Sequence, residues 1–148
     1  MTITKADIRH VKDVAHLFNL YRQFYGFESD IELANRFIEE RIRNDESSVF
    51  IATENGETQG FVQLYPSFCS VEAVKIYILY DLYVEESYRK LGVGEALMNK
   101  ATQWAKENNA ARLDLLTAKN NIAGQSLYEK LGYKKVLEDF HAYSLDAR

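Results

Sequence analysis

The sequence predicts an α/β fold in which helices and strands alternate around a mixed sheet. Apolar residues recur every three or four positions from Ile8 to Tyr25, which is the period of an amphipathic helix. Two β-type runs, at about 48–53 and 60–65, flank Glu54-Asn55-Gly56-Glu57, and Asn-Gly is typical of a tight hairpin turn. A longer strand, 74–84, leads through a glycine-containing turn into another helix, so both element types surround the predicted sheet.

The remaining elements follow the same patterns. We expect a first strand at about 2–4, a second helix at about 30–43, and a helix after the glycine turn that ends near Asn108. Pro66 is expected to mark a bend after the second hairpin strand. A strand from Arg112 to Thr117, a helix opened by Asn120 or Asn121, and strands at about 135–137 and 141–145 complete the prediction.

Composition indicates one globular domain. The chain has 148 residues, of which 47% are hydrophobic and 27% charged, and this size and balance suit a single core. It has one proline, no internal repeat and no low-complexity tract that would mark a linker. We therefore expect residues 1–148 to form a single domain.

Charge and cysteine content exclude several classes of function. A net charge of −4 gives no broad basic surface, so we expect no nucleic-acid partner. Cys69 is the only cysteine and the three histidines lack metal-ligand spacing, so neither a disulfide framework nor a metal site is expected. Without a signal peptide or a long apolar run, the expected location is the cytoplasm, with no membrane association.

The segment from Tyr88 to Glu95 predicts an anion-binding cradle, because a strand end turns through two glycines into a helix. Gly92 and Gly94 let the backbone approach a ligand closely, and the first N–H groups of the helix point toward the same place. The helix dipole favours a phosphate there, and Arg89 and Lys90 add mobile positive charge. We therefore expect the ligand to be an anion such as a pyrophosphate.

Two common cradles do not fit these residues. A Walker loop requires Gly-Lys-Ser/Thr, but Gly94 is followed by Glu95 and Ala96. A dinucleotide fingerprint requires a small residue where Leu97 stands. The pattern that fits is Arg-x-x-Gly-x-Gly, and it resembles the pyrophosphate-binding motif of the GNAT superfamily of acyl-CoA-dependent N-acyltransferases.

A second segment, 121–133, resembles the GNAT signature in which an Asn precedes a Tyr by seven residues and the helix ends in Leu-Gly-aromatic. Asn121 and Tyr128 have this spacing, and Leu131-Gly132-Tyr133 has the ending. The two motifs also follow in the order and separation of the family. One departure is Gly124, where the family usually has Ala, and glycine weakens the helix.

The resemblance implies the GNAT fold: a mixed sheet with a splayed parallel strand pair, flanked by helices, and acetyl-CoA lying in the splay. The main chain of Leu82, Tyr83 and Val84 would then bind the pantetheine arm. Tyr128 would be the general acid that protonates the leaving thiolate, although a packed core tyrosine is the alternative. The other residues that the resemblance assigns to the cofactor are Arg89, Lys90, Leu91, Gly92, Val93, Gly94, Glu95 and Asn121.

The general base is where the sequence departs from the family pattern. Many members have a Glu just before the position of Asp81, but here Tyr80 occupies it. Asp81 is the only carboxylate on this strand before Glu85 and is the candidate base, directly or through a water. Strict alternation would place Tyr80 and Asp81 on opposite faces of the sheet. The alternative is that Asp81 lies on a solvated face or pairs with a lysine.

In the family the first two helices line the acceptor side, which places Tyr21, Tyr25 and Glu28 near the substrate. Tyr80 is a further candidate substrate residue, although strict alternation lets only one of Tyr80 and Asp81 face the acceptor. Aromatic rings and carboxylates suit a cationic amine. The residues 81–84, with Tyr88 and Arg89, are also similar to the corresponding run of polyamine (diamine) acetyltransferases. Alternatively, the tyrosines continue an apolar helical stripe and the acids are solvated surface.

The leading interpretation is an N-acetyltransferase that moves an acetyl group from acetyl-CoA to a primary amine by direct attack, with a small polyamine or amino-acid-like acceptor favoured. The alternatives are a protein or peptide acetyltransferase, an acyl-CoA-binding module of the same fold without independent catalysis, and an unrelated nucleotide-binding domain. The last strand would serve a homodimer interface, a sheet edge or an ordinary core equally well.

Overall fold

The computed structural model describes residues 1–148, which divide into two compact units, Met1–Leu116 and Thr117–Arg148. The first unit holds a five-stranded sheet in the order β1-β2-β3-β4-β5. All neighbouring strands are antiparallel except β4 and β5, which are parallel, so the predicted mixed sheet is confirmed. The strands are β1 Thr2–Lys5, β2 Ser48–Glu54, β3 Glu57–Cys69, β4 Val74–Val84 and β5 Leu113–Asp114, and the helices of this unit are α1 Val11–Phe24, α2 Ile31–Arg43 and α3 Val93–Glu107.

The predicted hairpin turn is confirmed in its backbone conformation. Asn55 and Gly56 both have positive φ, 53° and 78°, as a tight turn between twisted strands requires. Beyond this hairpin, β3 continues through Pro66, which pairs with Tyr77 of β4. The strand accommodates a proline there because β2 pairs with β3 only as far as Leu64, so Pro66 lies on a sheet edge that needs no N–H donor.

Helices cover both faces of the sheet in the first unit. Val14, Phe18 and Ile38 of α1 and α2 form a buried cluster with Val49, Ile51 and Phe61 of the sheet. On the other face, Phe50 contacts Trp104 of α3, with ring centroids 5.5 Å apart. Gly60 allows close packing there, because a Cβ at this position would come 2.8 Å from the Tyr83 carbonyl oxygen.

Strand β4 contains a β-bulge. Gln63 of β3 pairs with Asp81, but the next residue, Leu64, pairs with Leu79, so Tyr80 is an extra residue on β4. On its other edge, β4 pairs with β5 only at Tyr77 and Ile78. No strand of the sheet therefore pairs with that edge of β4 beyond Ile78, which confirms the splayed parallel pair.

The second unit contains one helix, α4, at Ile122–Lys130. The side chain of Asn121 accepts a hydrogen bond of 3.1 Å from the Gly124 amide and caps the helix, as predicted. Gly132, with φ of 94°, follows the helix in the left-handed conformation expected of a terminator. Alanine at position 124 would collide with the cap, because a Cβ there would lie 2.4 Å from Asn121 Nδ2.

The predicted strands at 135–137 and 141–145 are wrong, since no helix or strand follows α4. The alternating pattern of this segment is a local feature, whereas a strand exists only through hydrogen bonds to a partner strand, and residues 117–148 contain none. For the same reason the predicted strand from Arg112 to Thr117 shortens to Leu113–Asp114, the two residues that pair with β4.

Candidate active site

The cradle begins where β4 ends and α3 starts. Lys90 and Gly92 both have positive φ, 63° and 84°, and this turn brings the chain to the first helical residue, Val93. The N-cap residue of α3 is Gly92, which has no side chain to cap the helix, and the Ala96 amide donates a hydrogen bond to the Gly92 carbonyl oxygen. The leading N–H groups of the helix thus have no acceptor within the helix. A Cβ at Gly92 would meet no atom within 4 Å, so the space above it is open to a ligand.

Arg89, predicted to add positive charge beside the cradle, contacts the end of β4. Its Nε donates a hydrogen bond of 2.8 Å to the Val84 carbonyl oxygen, and its guanidinium lies 5.4 Å from the centre of the Tyr83 ring. Both contacts tie the cradle to the last residues of β4. The positive charge of Arg89 therefore lies beside the end of β4 and next to the cradle.

The main-chain groups of Leu82, Tyr83 and Val84 lie on the part of β4 that has no partner on the β5 side. On the β3 side these residues pair with Val62, Phe61 and Gly60. One edge of β4 is thus anchored while the other offers N–H and C=O groups to an extended ligand.

Asp81 is buried, with only 4% of its surface exposed, and does not lie on a solvated face or pair with a lysine. Gln63 Nε2 donates a hydrogen bond of 2.6 Å to Asp81 Oδ2, and the Oε1 atom of Gln63 accepts one of 2.8 Å from Ser47 Oγ. Burial raises the pKa of Asp81 from 3.8 to about 6, against the opposing effect of hydrogen bonds from Gln63 and Tyr21. The carboxylate is therefore ionised at neutral pH and retains more basicity than an ordinary Asp.

The bulge places Tyr80 and Asp81 on the same face of the sheet, which corrects the expectation of opposite faces. Asp81 lies against Gln63, and the Tyr80 ring lies 5.5 Å from that of Tyr65, two residues further along β3. Residues two apart on a strand share a face, so both contacts are on the side covered by α1 and α2. The alternation argument failed because it assumed a regular strand.

Tyrosine rings surround Asp81. The hydroxyl of Tyr21 donates a hydrogen bond of 3.3 Å to the Tyr80 carbonyl oxygen, and the Tyr21 ring contacts Tyr25 and Tyr83 at centroid distances of 5.1 and 6.1 Å. Burial raises the pKa of Tyr21, and nearby Asp81 raises it further. The same two causes raise the pKa of Tyr65 to about 12, so both hydroxyls stay protonated at neutral pH.

The structure thus brings together four of the predicted residues, Tyr21, Tyr25, Tyr80 and Asp81. Tyr25 and Tyr80 are 49% and 64% exposed, so this group opens to solvent on one side. Glu28, the remaining predicted acceptor residue, is exposed in the turn after α1 and is not joined to the group.

Sequence reasoning missed Ser47, Gln63 and Tyr65. The only available signal was a polar residue inside the apolar run Gly60-Phe61-Val62-Gln63-Leu64, because a glutamine in a buried strand needs polar partners. That signal does not identify Asp81 as the partner of Gln63, because the two residues are brought together only by the pairing of β3 with β4.

In the second unit, the predicted acid Tyr128 lies on α4 and its ring is 6.0 Å from that of Tyr133. Asn121, predicted to contact the cofactor, uses its side chain locally: Oδ1 caps α4 and Nδ2 donates a hydrogen bond of 3.0 Å to Thr117 Oγ1. Its role within this unit is to fix the start of α4.

A cavity of about 380 Å³ lies beside β1 and the β2–β3 hairpin and includes His10 and Asp13 in its lining. None of the predicted site residues lines it, so it is separate from the candidate site. No group of three or more His, Cys, Asp or Glu side chains is placed to hold a metal ion. None of the helices combines the length and apolar character needed to cross a membrane.

Comparisons with known proteins agree with this geometry. The model of the acetyltransferase (GNAT) family matches residues 14–133. The uncharacterized N-acetyltransferase YhfO of Bacillus subtilis is 44% identical over 135 residues, or 91% of each chain. The crystal structure of a probable acetyltransferase superposes with a TM-score of 0.91 at 36% identity, over 100% of this chain and 99% of that one.

A further solved structure, an aminoglycoside N-acetyltransferase, AAC(6')-Iy, in complex with CoA, has a TM-score of 0.84 over 99% of this chain and 95% of its own. At 17% identity this likeness shows the fold alone. The family match and these relatives identify an acyl-transferring enzyme. The chain belongs to the GNAT family of acetyltransferases, whose fold uses acetyl-CoA.

Proposed function

We propose that this protein transfers the acetyl group of acetyl-CoA to the primary amine of a small acceptor, with a polyamine or an amino-acid-like amine favoured. The observation that carries the proposal is the buried Asp81 carboxylate, enclosed by tyrosines on the strand whose free edge leads to the cradle. Acetylation of an amine needs a basic group, an acceptor site such as one lined by aromatic rings, and a cradle for the phosphates of the cofactor.

The residues at the end of β4 fit the cofactor. Acetyl-CoA supplies the acetyl group as a thioester. The open cradle at Gly92 would hold its pyrophosphate, and the free edge at Leu82, Tyr83 and Val84 would hold the pantetheine and donate an N–H to the thioester carbonyl. The further residues assigned to this site are Arg89, Lys90, Leu91, Val93, Gly94, Glu95 and Asn121.

Asp81 is the proposed general base. An alkylamine has a pKa of about 10 and is protonated at neutral pH, so it must lose a proton before it attacks. The raised pKa of Asp81, about 6, leaves its carboxylate ionised yet able to accept that proton, directly or through a water. The amine then attacks the acetyl group directly, without a covalent enzyme intermediate.

Tyr128 is the proposed general acid. An unperturbed tyrosine has a pKa of about 10, so its hydroxyl holds a proton at neutral pH and would donate it to the leaving sulfur. Support comes from its spacing to Asn121, which the structure shows as the cap of the helix that carries Tyr128.

The acceptor site is proposed to lie at the open side of the tyrosine group. Tyr21, Tyr25 and Tyr80 present ring faces and edges around the carboxylate, and aromatic rings attract an ammonium by about 0.5–2 kcal/mol. Glu28, on the exposed turn after α1, would attract a second positive charge of a longer polyamine. Aromatic rings beside a buried carboxylate suit a small cationic amine.

The test is thiol release from acetyl-CoA with spermidine, spermine, lysine, other amino acids and a basic peptide as acceptors. Asp81→Asn and Tyr128→Phe are each expected to lower kcat about a hundredfold with the best amine, which is typical of losing a general base or acid. Matched controls are Asp139→Asn and Tyr143→Phe, which change exposed side chains of the same types and are expected to keep full activity.

Turnover with one amine class, together with slow Asp81 and Tyr128 variants, supports the proposal and identifies the acceptor. If only the basic peptide is acetylated, the acceptor is a protein or peptide rather than a small amine. Binding of acetyl-CoA without turnover of any amine would overturn the catalytic proposal in favour of a binding module.

A further inference from the structure

Three polar side chains form a buried line that ends at the proposed base. Ser47 precedes β2, Gln63 lies on β3 and Asp81 lies on β4, and they are 7%, 0% and 4% exposed. The Ser47 hydroxyl donates to Gln63 Oε1 at 2.8 Å, and Gln63 Nε2 donates to Asp81 Oδ2 at 2.6 Å. Burying these groups is tolerated because each has a hydrogen-bond partner.

The chemistry of the three groups fixes the direction of this line. An ionised carboxylate only accepts hydrogen bonds, so the amide nitrogen of Gln63 must face Asp81. The amide oxygen of Gln63 therefore faces Ser47, whose hydroxyl must be the donor. A flipped amide would place two acceptors together, so Ser47 keeps the donor of Gln63 aimed at the carboxylate.

We propose that Gln63, oriented by Ser47, is a positioning residue that fixes the Asp81 carboxylate beneath the acceptor and favours its ionised form. This inference rests on the proposed function, in which Asp81 accepts the proton of the amine. Gln63 holds only Oδ2, and it does so from within the sheet. Oδ1 is not held by Gln63, and we assign it to the acceptor side, where Tyr21 also hydrogen-bonds the carboxylate.

The groups around Asp81 make Gln63 suited to this role. Tyr21 of α1 and Tyr65 of β3 face the carboxylate. The charges of Arg41, on α2, and Glu46 affect the pKa of Tyr65, and the two side chains form an ion pair at 3.3 Å. Burial raises the pKa of Asp81 and so disfavours its ionised form, whereas the hydrogen bond from Gln63 lowers that pKa and favours the ionised form. Because a glutamine amide does not titrate, this donor is present at every pH.

The first test follows the Asp81 carboxyl directly, by carbon-13 NMR titration of the full chain carrying labelled aspartate. Asp81→Asn identifies the resonance, which we expect to titrate near pH 6 in the native protein. Gln63→Met removes the donor at similar length and is expected to move this midpoint up by about half a pH unit or more. Ser47→Ala should move it in the same direction, and Ser47→Thr, which keeps the hydroxyl, should restore it.

Gln103→Met is the control, because Gln103 lies exposed on α3 and should leave the midpoint unchanged. Thermal melting identifies any variant that fails to fold, and if Gln63→Met does so, Ser47→Ala decides. A midpoint that stays within about 0.2 unit of the native value in the folded variants would overturn the inference.

The second test is the pH profile of kcat/KM for acetyl-CoA and spermidine. In the Gln63 variant the acidic limb of kcat/KM should move to higher pH together with the NMR midpoint. For a shift of half a pH unit this corresponds to about a twofold loss of kcat/KM at pH 6 and about a threefold loss at pH 5. If the NMR midpoint moves but the limb does not, the positioning role is overturned. If Asp81→Asn itself retains full activity, the proposed base is wrong, and the NMR result still decides whether Gln63 controls the carboxyl.

Discussion

At the scale of the residue, the site depends on how a carboxylate is kept inside a sheet. Asp81 lies among apolar and aromatic side chains, and its hydrogen bond to Gln63 makes that burial tolerable. A buried group with a pKa moved toward neutrality is frequent at functional sites, since catalysis needs a base poised near the working pH. Stability and chemistry therefore impose opposite demands on this residue.

This conflict predicts how stability depends on pH. The pKa of Asp81 rises from 3.8 to about 6 on folding, so its contribution to the free energy of unfolding is greatest below about pH 4 and is lost as the pH rises through 6. Relative to the native protein, Asp81→Asn should gain about 2 kcal/mol in the free energy of unfolding between pH 4 and pH 7, because its side chain stays neutral. Urea denaturation at both pH values measures this difference.

Asp139→Asn is the matched control, since Asp139 is exposed and its substitution should change stability equally at both pH values. If Asp81→Asn shows no gain toward neutral pH, the carboxyl is not destabilised by burial. The same variant is expected to be nearly inactive. A gain of stability together with a loss of activity would show that Asp81 is kept for catalysis at a cost in stability.

At the scale of the element, the sequence predicted the features that depend on residues close together in the chain. The Asn-Gly hairpin, the apolar stripe of α1 and the glycine turn before α3 were visible because each follows from residues close in the chain. The bulge at Tyr80 was not visible, because it exists only in the register between β3 and β4. The strands expected near the carboxyl end failed for a related reason, since pairing is not a local property.

The cradle gives a prediction at this scale. Gly92→Ala places a methyl group in the open cradle and strains a residue with φ of 84°. We expect it to weaken CoA binding about tenfold or more, measured by isothermal titration calorimetry. Gly56→Ala imposes similar strain at φ of 78° in the hairpin turn, also in open space, and should cost similar stability without changing affinity. Equal losses of affinity in the two variants would show that strain alone is responsible.

At the scale of the whole molecule, composition predicts that residues 1–148 behave as a single domain. The second unit has one helix of nine residues, α4, with no buried residue. A segment of 32 residues, the span of Thr117–Arg148, is too short to maintain a core of its own. We therefore propose that it unfolds together with the sheet.

Differential scanning calorimetry is expected to show one transition, with equal calorimetric and van't Hoff enthalpies. CoA at about 100 times its Kd should stabilise the folded chain by about 2.7 kcal/mol and raise Tm by roughly 5–10 °C. Two separate transitions, with only the later one moved by CoA, would contradict the single domain and assign the cofactor to one unit.

Gly60 affects how a mutational scan of this protein should be interpreted. No side chain fits at position 60, because even a methyl group would lie 2.8 Å from the Tyr83 carbonyl oxygen and 3.3 Å from Leu97. In a library that tests every substitution for activity alone, position 60 would score like a catalytic residue, although its role is to let two strands and a helix meet. Only a parallel measurement of protein abundance would separate such a packing position from Asp81.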